Sequence, residues 1–474
     1  MIEINKQKEY MRRVREKMGE KPAPPLSYVD TYGCQQNESD SEKLRGMLEE
    51  MGFHNTDDEY SADVIVINTC AIRENAENRV YGNVGELIHT KKAKPTQIIA
   101  FCGCMAPIPE VAEKIRQSYK HVDLMFSPNN LWRFPEMLSK MIFRETEIEK
   151  TGIETPKRLF YVDIGESAIA EGLPVLRTKS IKAWLPIMYG CNNYCSYCIV
   201  PYVRGRERSR KPEDIITEAR KLVADGYKDI TLLGQNVNSY GTGLENDIDF
   251  AGIIRQINDI EGQFLIRFMT SHPKDASIEL FRAMAESKKA ARHIHLPFQA
   301  GNNRILEMMN RGYTHESYLD KVAAARELMP DIVITSDVIV GFPGETDEEF
   351  EDTLSLIEKA RFDAMFTFIY SKRPGTPAAS LWDNVSREEK QIRSDKLIEV
   401  QNAISMEKHS KYIGESVLVL VDEESYDERY PLKARTNGGR LVHLNGEHSL
   451  IGRFIKAKIT HCNSWALFGE PDER

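Results

Sequence analysis

The chain has 474 residues, 41% hydrophobic and 28% charged, and a formal net charge of −9. It is too long for one ordinary core, so two or three domains are expected, and no apolar run is long enough to cross a bilayer. The acidic balance excludes a nucleic-acid binder that works by global charge, so any RNA contact must come from local basic clusters.

Residues 1–25 read as a charged, helix-prone extension without the apolar core of a signal peptide, which points to a cytoplasmic protein that spans no membrane. Eight cysteines in such a chain argue for metal or redox chemistry rather than a disulfide framework. Lys21-Pro22-Ala23-Pro24-Pro25 ends the extension, because proline cannot continue a helix. Strands and helices then alternate: strands over 26–31, 64–67, 97–101 and 122–126, helices over 39–51, 76–92 and 109–119. The pattern predicts a parallel sheet with helices on both faces. Cys34, Cys70 and Cys104 each follow one of the first three strands, at the carboxyl edge where open α/β folds bind ligands. They are read as a site for three thiolates; the competing reading makes them unrelated small core residues.

A linker with Thr155-Pro156-Lys157 and Gly172-Leu173-Pro174 precedes a second alternation, with strands over 183–188, 229–233, 265–269, 293–296, 332–340 and 364–369. Six such units predict a partial (β/α)6 barrel with its function at the strand carboxyl ends. The first strand runs into Gly190-Cys191-Asn192-Asn193-Tyr194-Cys195-Ser196-Tyr197-Cys198. Three thiolates on one short loop can hold three irons of a cubic 4Fe-4S cluster and leave the fourth open to a small ligand. A zinc knuckle or a disulfide loop competes, but zinc usually takes four protein ligands and no fourth is near. The other strand ends carry Asn236, Ser271 and Gln299 among glycines, a polar rim able to hydrogen-bond a polar cofactor. His272 and His295 also sit there: either can serve as a ligand or acid/base group, and the favoured reading makes them hydrogen-bonded structural residues.

Arg204-Gly205-Arg206-Glu207-Arg208-Ser209-Arg210-Lys211 is the most basic stretch of the chain. It either meets phosphates beside the site or is an internally paired charge run. Beyond about residue 411, short strands over 417–421, 432–436, 440–444 and 454–459 predict a small antiparallel β-barrel. Its basic residues include Lys433, Arg435 and Arg440, offset by Asp422, Glu423 and Glu424. The expected class is therefore α/β, with an N-terminal parallel α/β domain, a central partial barrel and a small C-terminal antiparallel β-barrel.

Taken together, these stretches resemble the radical S-adenosylmethionine (SAM) methylthiotransferases. The resemblance covers nearly the whole chain from Leu26. It rests on Tyr32-Gly33-Cys34-Gln35-Gln36-Asn37, Asn68-Thr69-Cys70-Ala71-Ile72-Arg73, Gly103-Cys104-Met105, the loop 190–198, Leu232-Leu233-Gly234-Gln235-Asn236-Val237-Asn238 and Ser371-Lys372-Arg373-Pro374-Gly375-Thr376-Pro377-Ala378. It implies a methylthiotransferase domain over 26–145, a radical SAM domain over 176–410 and a TRAM domain over 411–474 that helps hold substrate. It implies two 4Fe-4S clusters, a radical cluster on Cys191, Cys195 and Cys198 and an auxiliary, sulfur-carrying cluster on Cys34, Cys70 and Cys104. Tyr197, Asn236, Ser271 and Gln299 are the expected SAM contacts, and Cys102 and Cys462 are expected not to be ligands.

Gly33-Cys34-Gln35-x-Asn37, and Ala-Ile-Arg-Glu-Asn after Cys70, resemble the branch that modifies isopentenyladenosine in tRNA. The branches for threonylcarbamoyladenosine and for a ribosomal protein usually carry Lys-Val-Asn or Pro-Lys-Asn after the first cysteine, and this chain has neither. It departs from the common pattern at Gln36, where Met is usual, and at Pro107. The implied reaction uses one SAM to methylate sulfur and a second, cleaved to a 5′-deoxyadenosyl radical, to take hydrogen from adenine C2. The implied partners are the tRNA anticodon stem-loop, an electron donor such as flavodoxin or ferredoxin, and a sulfur source, with the chain acting as a monomer. Arg204, Arg206, Arg208 and Arg210, with Lys433, Arg435 and Arg440, are the expected RNA contacts. Another substrate branch, or a non-catalytic iron–sulfur electron carrier, are the alternative readings.

Overall fold

The computed structural model describes residues 4–71, 74–152, 154, 156–165, 169–245 and 247–472. Ile72 and Arg73 of the second cysteine motif, and Thr155 of the expected linker, lie outside the described residues. The chain forms two compact units: Met1–Thr178 with Tyr189–Asn192 and Cys198–Arg208, and Lys179–Met188 with Asn193–Tyr197 and Ser209–Arg474.

The first unit contains α1 (Ile4–Met18), β1 (Leu26–Thr31), α2 (Gln35–Glu50), β2 (His54–Asn55), β3 (Val64–Thr69), α3 (Glu74–Ala93), β4 (Ile98–Gly103), α4 (Pro109–Ser118), β5 (Leu124–Phe126), α5 (Phe134–Ile142), α6 (Arg144–Thr151) and β6 (Leu159–Tyr161). Its sheet has the order β2-β1-β3-β4-β5-β6, with every pair parallel. Successive side chains of a strand point to opposite faces. Ile65, Ile67, Ile99 and Phe101 therefore enter one apolar cluster, and Val64, Val66, Ala100 and Phe126 another. Covering both faces explains why β3 is buried along its whole length and reads as an unbroken apolar run. Each such fully buried Val or Ile contributes roughly 1.5–3 kcal/mol.

Two features differ from the sequence reading. The N-terminal segment is not a free extension: α1 buries Gln7, Met11, Val14 and Met18 at helical spacing, and its apolar residues share a cluster with Met137 and Leu138 of α5. Residues 159–161, read as linker, form the sixth strand, which is too short to give a periodic signal.

Next in the chain lie β7 (Lys182–Pro186), β8 (Met188–Tyr189), the cysteine loop, α7 (Val200–Arg204) and β9 (Arg208–Ser209). The second unit continues with α8 (Pro212–Ala224), β10 (Asp229–Leu233), α9 (Phe250–Asn258), β11 (Leu265–Phe268), α10 (Ile278–Glu286), β12 (His293–His295), α11 (Asn303–Met308), α12 (His315–Leu328), β13 (Val333–Val340), α13 (Asp347–Ala360), β14 (Ala364–Ile369) and α14 (Arg387–Ser410). β7-β10-β11 and β12-β13-β14 are parallel three-stranded sheets, joined through an Ile266–Ala290 bridge. Ile294, Ile334, Val338, Val340 and Met365 pack with Phe350 and Ile357 of α13 and Leu397 of α14. By alternation, His295, Thr335, Asp337, Phe366 and Phe368 line the opposite, inner face. Helix starts are fixed locally: Thr346 with Glu349, and Ser386 with Glu389, form reciprocal capping boxes.

The C-terminal strands β15 (Ser416–Asp427), β16 (Tyr430–Thr436), β17 (Leu441–Leu444), β18 (Phe454–Cys462) and β19 (Leu467–Pro471) close into a barrel in the order β15-β16-β17-β19-β18. The sequence reading lacked β19, whose Gly469 and Pro471 are poor strand formers. It pairs parallel with β17 and antiparallel with β18, so the barrel has no free edge. Within this unit the barrel is tied to the β/α part by buried charge. Arg267 donates to the carbonyls of Asn437 (2.9 Å) and Thr436 (3.2 Å) while its Nε donates to Asp229 (2.9 Å). Arg440 pairs with Asp363, as does Lys408 at 3.0 Å. No described helix is long and apolar enough to cross a membrane.

Candidate functional site

In the first unit, Thr31 pairs with Asn68 and Thr69 with Gly103, so the carboxyl ends of β1, β3 and β4 lie level. Cys34, Cys70 and Cys104 follow those ends directly. The approach is close: a Cβ on Gly33 would stand 2.9 Å from the Cβ of Cys70. Gly103 has φ +93, and a Cβ there would lie 2.3 Å from the Thr69 carbonyl oxygen, so only glycine fits. In an unbroken strand Cys102 and Cys104 would share a face. The turn at Gly103 separates them: Cys102 enters the apolar cluster of α1 and α5, and Cys104 the cluster on the other side of the sheet.

Around these thiols is a polar frame. The Cys34 thiol donates to Asn37 Oδ1 (3.3 Å), and Asn37 Nδ2 donates to the Thr69 carbonyl (2.9 Å) and Asn68 Oδ1 (3.1 Å). Arg204 Nε donates to Cys104 Sγ (3.2 Å), and its Nη2 to Asp40 Oδ2 (3.0 Å). Burial disfavours the Arg204 charge, but Cys104, Asp40 and Cys34 hold it protonated. Burial pushes the Cys104 thiol up to about 12, opposed by Arg204 and reinforced by Cys70 and Cys34. Three soft sulfur donors at adjacent strand ends, one of them held by a guanidinium, fit an iron–sulfur cluster. Among the described residues no three His, Cys, Asp or Glu side chains close on one point as a single ion requires. A cubane makes a different demand, since it spreads its thiolates over three irons.

Cys191 and Cys198 belong to the first unit and Cys195 to the second. The Cys191 N–H donates to Gly205 O (3.2 Å), and Gly190 (φ +79) leaves no room for a Cβ, which would stand 2.1 Å from Arg206 O. Cys195 is buried and accepts a hydrogen bond from Arg311 Nη1 (3.2 Å), while its Sγ lies 3.9 Å from His272 Nε2. Arg311 is itself buried and also donates to the Pro297 carbonyl (2.8 Å), Tyr313 Oη (3.0 Å) and Tyr197 Oη (3.3 Å). Burial, then Arg311, Lys274 and Lys321, push His272 down to about 2, so its imidazole is neutral and its Nδ1 accepts the Lys274 N–H. His295 is likewise bonded, through Nδ1 to Thr335 (2.9 Å), with Nε2 3.3 Å from Asp337 Oδ2.

The rim over the second unit is unsatisfied. Asn236 Oδ1, Ser271 Oγ, Gln299 Oε1 and Ser196 Oγ are buried and have no hydrogen-bond partner among the described residues. Each buried polar atom left so costs about 1–3 kcal/mol. Gln299 also holds φ +66, which a residue with a side chain rarely adopts. A polar ligand with several acceptors and donors at these strand ends would relieve all four, and SAM has that chemistry.

The basic residues divide. Arg206 is exposed. Arg204 is 4% exposed and committed to Cys104 and Asp40. Arg210 is also buried, bonded to the Pro186 carbonyl and Glu218. Arg208 is half-buried and donates to Asn129 (3.2 Å). In the C-terminal barrel, Lys433 pairs with Glu423, Arg435 with Asp422, and Arg440, whose side chain is 7% exposed, with Asp363. Arg204, Arg210 and Arg440 thus differ from the expected RNA-facing set because each compensates a buried carboxylate, thiol or carbonyl. The sequence reading also missed Asp40 and Arg311, isolated charges whose burial no local pattern announces; Asn37 was visible in its motif.

Residues 185–357 match the radical SAM superfamily, residues 27–127 the "Uncharacterized protein family UPF0004" and residues 410–471 the TRAM domain. The chain is 48% identical over 468 residues to the tRNA-2-methylthio-N(6)-dimethylallyladenosine synthase of Acetivibrio thermocellus, covering 98% of this chain and 94% of that one. It is 49% identical over 442 residues to the enzyme of the same name from Alkaliphilus oremlandii, covering 93% and 92%. Among solved structures it is similar to a radical S-adenosylmethionine methyltransferase of Kitasatospora setae with cobalamin and a [4Fe-4S] cluster bound. There the TM-score is 0.53 and the identity 14%, with 75% and 74% of the two chains covered, a likeness of fold alone.

Proposed function

The chain belongs to the radical SAM methylthiotransferases, and from that premise we propose that it places a methylthio group on C2 of N6-dimethylallyladenosine, the nucleoside 3′ of the tRNA anticodon. Near-full-length identity of 48% to synthases of that name supports this reading most strongly. When bound, two 4Fe-4S clusters and SAM supply the electron, the methyl group and the hydrogen-abstracting radical, which the step needs because an aromatic C–H is too weak an acid for any side-chain base.

The residues divide the work. Cys191, Cys195 and Cys198 hold the radical cluster, a role supported by their spacing on one loop. Cys34, Cys70 and Cys104 hold the auxiliary cluster, a role supported by their position at three adjacent strand ends. Arg311 and Arg204 each donate one N–H to a ligand sulfur and so stabilise thiolate charge in a buried place. Asn236, Ser271 and Gln299 bind the polar parts of SAM, and Tyr197, held by Arg311, flanks it. Arg206, Lys433 and the partly exposed Arg435 meet tRNA phosphates, with residues 26–145, 176–410 and 411–474 as the three functional domains. A one-electron donor such as flavodoxin or ferredoxin and a sulfur source complete the cycle, in the cytoplasm, on a monomer. Mass analysis of tRNA nucleosides from a strain lacking this gene tests the proposal. Loss of the 2-methylthio nucleoside with accumulation of its dimethylallyl precursor is expected; an unchanged nucleoside profile overturns it.

A further inference from the structure

Edge strand β14 carries two large rings that the core does not use. Phe366 is 52% exposed and Phe368 43%, although both lie on a strand of the β/α sheet. Met365, between the helix layer and the strand, is buried, so the two rings stand on the inner face. There Phe366 is in register with Asp337 and Phe368 with Ile339 of β13. The Phe366 ring meets the edge of His295, with centroids 6.4 Å apart. β14 ends the sheet order, so no further described strand pairs beside the two rings. The face also adjoins the unsatisfied rim, since the Gln299 N–H donates to the Asp337 carbonyl (2.9 Å). Paired exposed rings inside a β/α arc mark a binding face rather than a core.

We propose that Phe366 and Phe368, with Asp337 beside them, receive the N6-dimethylallyl adenine and select it against adenines whose N6 group carries a carboxylate. The proposal rests on the methylthiotransferase reading and names the part of the site that recognises the modified base. An unpaired adenine offers a flat π-face for stacking, and its dimethylallyl arm is wholly apolar. Two phenyl rings bury both. A threonylcarbamoyl group in the same place brings an anionic carboxylate toward Asp337, whose side chain is 26% exposed, and like charges at short range repel. Contact with the Gln299 side of the rim brings the base next to the groups proposed to bind SAM, as hydrogen abstraction demands.

The test uses the cluster-loaded enzyme and anticodon stem-loop RNAs that differ only at N6: unmodified, dimethylallyl and threonylcarbamoyl. Affinity is read by fluorescence anisotropy. The wild type should prefer the dimethylallyl RNA over the unmodified one. Phe366→Ala with Phe368→Ala should cut that preference about tenfold, the effect of losing burial of about two carbons of the apolar arm, with the salt slope of binding unaltered. Asp337→Asn should improve threonylcarbamoyl RNA binding relative to dimethylallyl. If the double variant fails to fold, Phe368→Glu alone should abolish the preference. Variants that keep the wild-type ratios overturn the inference while methylthio product from the wild type leaves the functional reading intact. A wild type that makes no such product from dimethylallyl RNA overturns that reading, and this inference with it.

Discussion

Arg204 stands with its Nε 3.2 Å from Cys104 Sγ and its Nη2 3.0 Å from Asp40 Oδ2. The most basic stretch of the chain therefore begins with a residue turned away from solvent. α7, which ends in Arg204, starts just after Cys198, so one short segment carries a candidate ligand of the radical cluster and a hydrogen-bond donor to the auxiliary one. Under the proposed assignment the two cluster sites are thereby tied through the covalent chain.

Removing that guanidinium leaves Asp40 buried without its partner and Cys104 without its donor. Arg204→Ala should lower stability by about 3–5 kcal/mol, the range for breaking a buried ion pair, and reduce iron retained after reconstitution. Arg204→Lys keeps the charge but not the fork, so it should recover part of both. Thermal melting and iron per chain are the measurements; an Arg204→Ala protein that melts and binds iron like the wild type refutes the assignment. Exposed Arg206 should behave oppositely. Arg206→Ala should leave melting unchanged and reduce the salt slope of tRNA binding by about 0.7–0.9 of a unit, one phosphate's worth.

The two cluster sites should load independently. Changing Cys191, Cys195 and Cys198 together to Ala should leave the iron of one cluster. Cys102→Ala should keep both, because Gly103 turns Cys102 to the other side of the sheet from Cys104. Loss of the auxiliary cluster in Cys102→Ala, with retention in Cys104→Ala, would reverse the assignment.

Strands over 26–31, 229–233 and 364–369 were legible to the residue because apolar runs end there in polar or glycine-rich sequence. Helix α1 was legible only as a charged, helix-prone extension and its packing was not, since Lys, Arg and Glu dominate its composition and only a narrow stripe, Met11-Val14-Met18, is apolar. β6 has three residues, too few for a period to register, and β19 carries Gly469 and Pro471, which are poor strand formers. In the site, the cysteines could be read because local spacing and strand ends locate them. Arg204 and Arg206 look alike in sequence; a buried carboxylate and thiol contributed by distant residues separate them, and that information is tertiary.

The rim should respond to single polar deletions. Ser271→Ala and Gln299→Ala each remove an atom that has no partner among the described residues, so neither should destabilise the protein. Each should weaken SAM binding about fivefold, the value of one hydrogen bond near 1 kcal/mol. Equilibrium dialysis of SAM against cluster-loaded protein measures this. Unchanged affinity in both variants would move SAM elsewhere.

The last prediction concerns the join between the C-terminal barrel and the β/α part. Burial alone would raise the Asp363 carboxyl, yet Arg440, Lys408 and the Ile334 N–H hold it below the ordinary carboxylate value. A folded-state pKa below the unfolded value of about 3.9 contributes stability at all pH above that value. The contribution is lost as pH falls through the folded pKa. Asp363→Asn should therefore lower the melting temperature at pH 7, and the gap to wild type should close in strong acid. A gap that persists undiminished in acid strong enough to protonate Asp363 in the folded protein would assign the effect to packing instead of charge. Arg440→Ala should show the same stability loss without a change in the salt slope of tRNA binding, because its side chain is 7% exposed. Lys433, 31% exposed at the barrel surface, should show the converse when changed to Ala. Point substitutions are the proper probe of this barrel. Deleting it whole would take the Asn437 and Thr436 carbonyls from Arg267 and Arg440 from Asp363 at once, leaving Asp229 and Lys408 as their remaining charged partners.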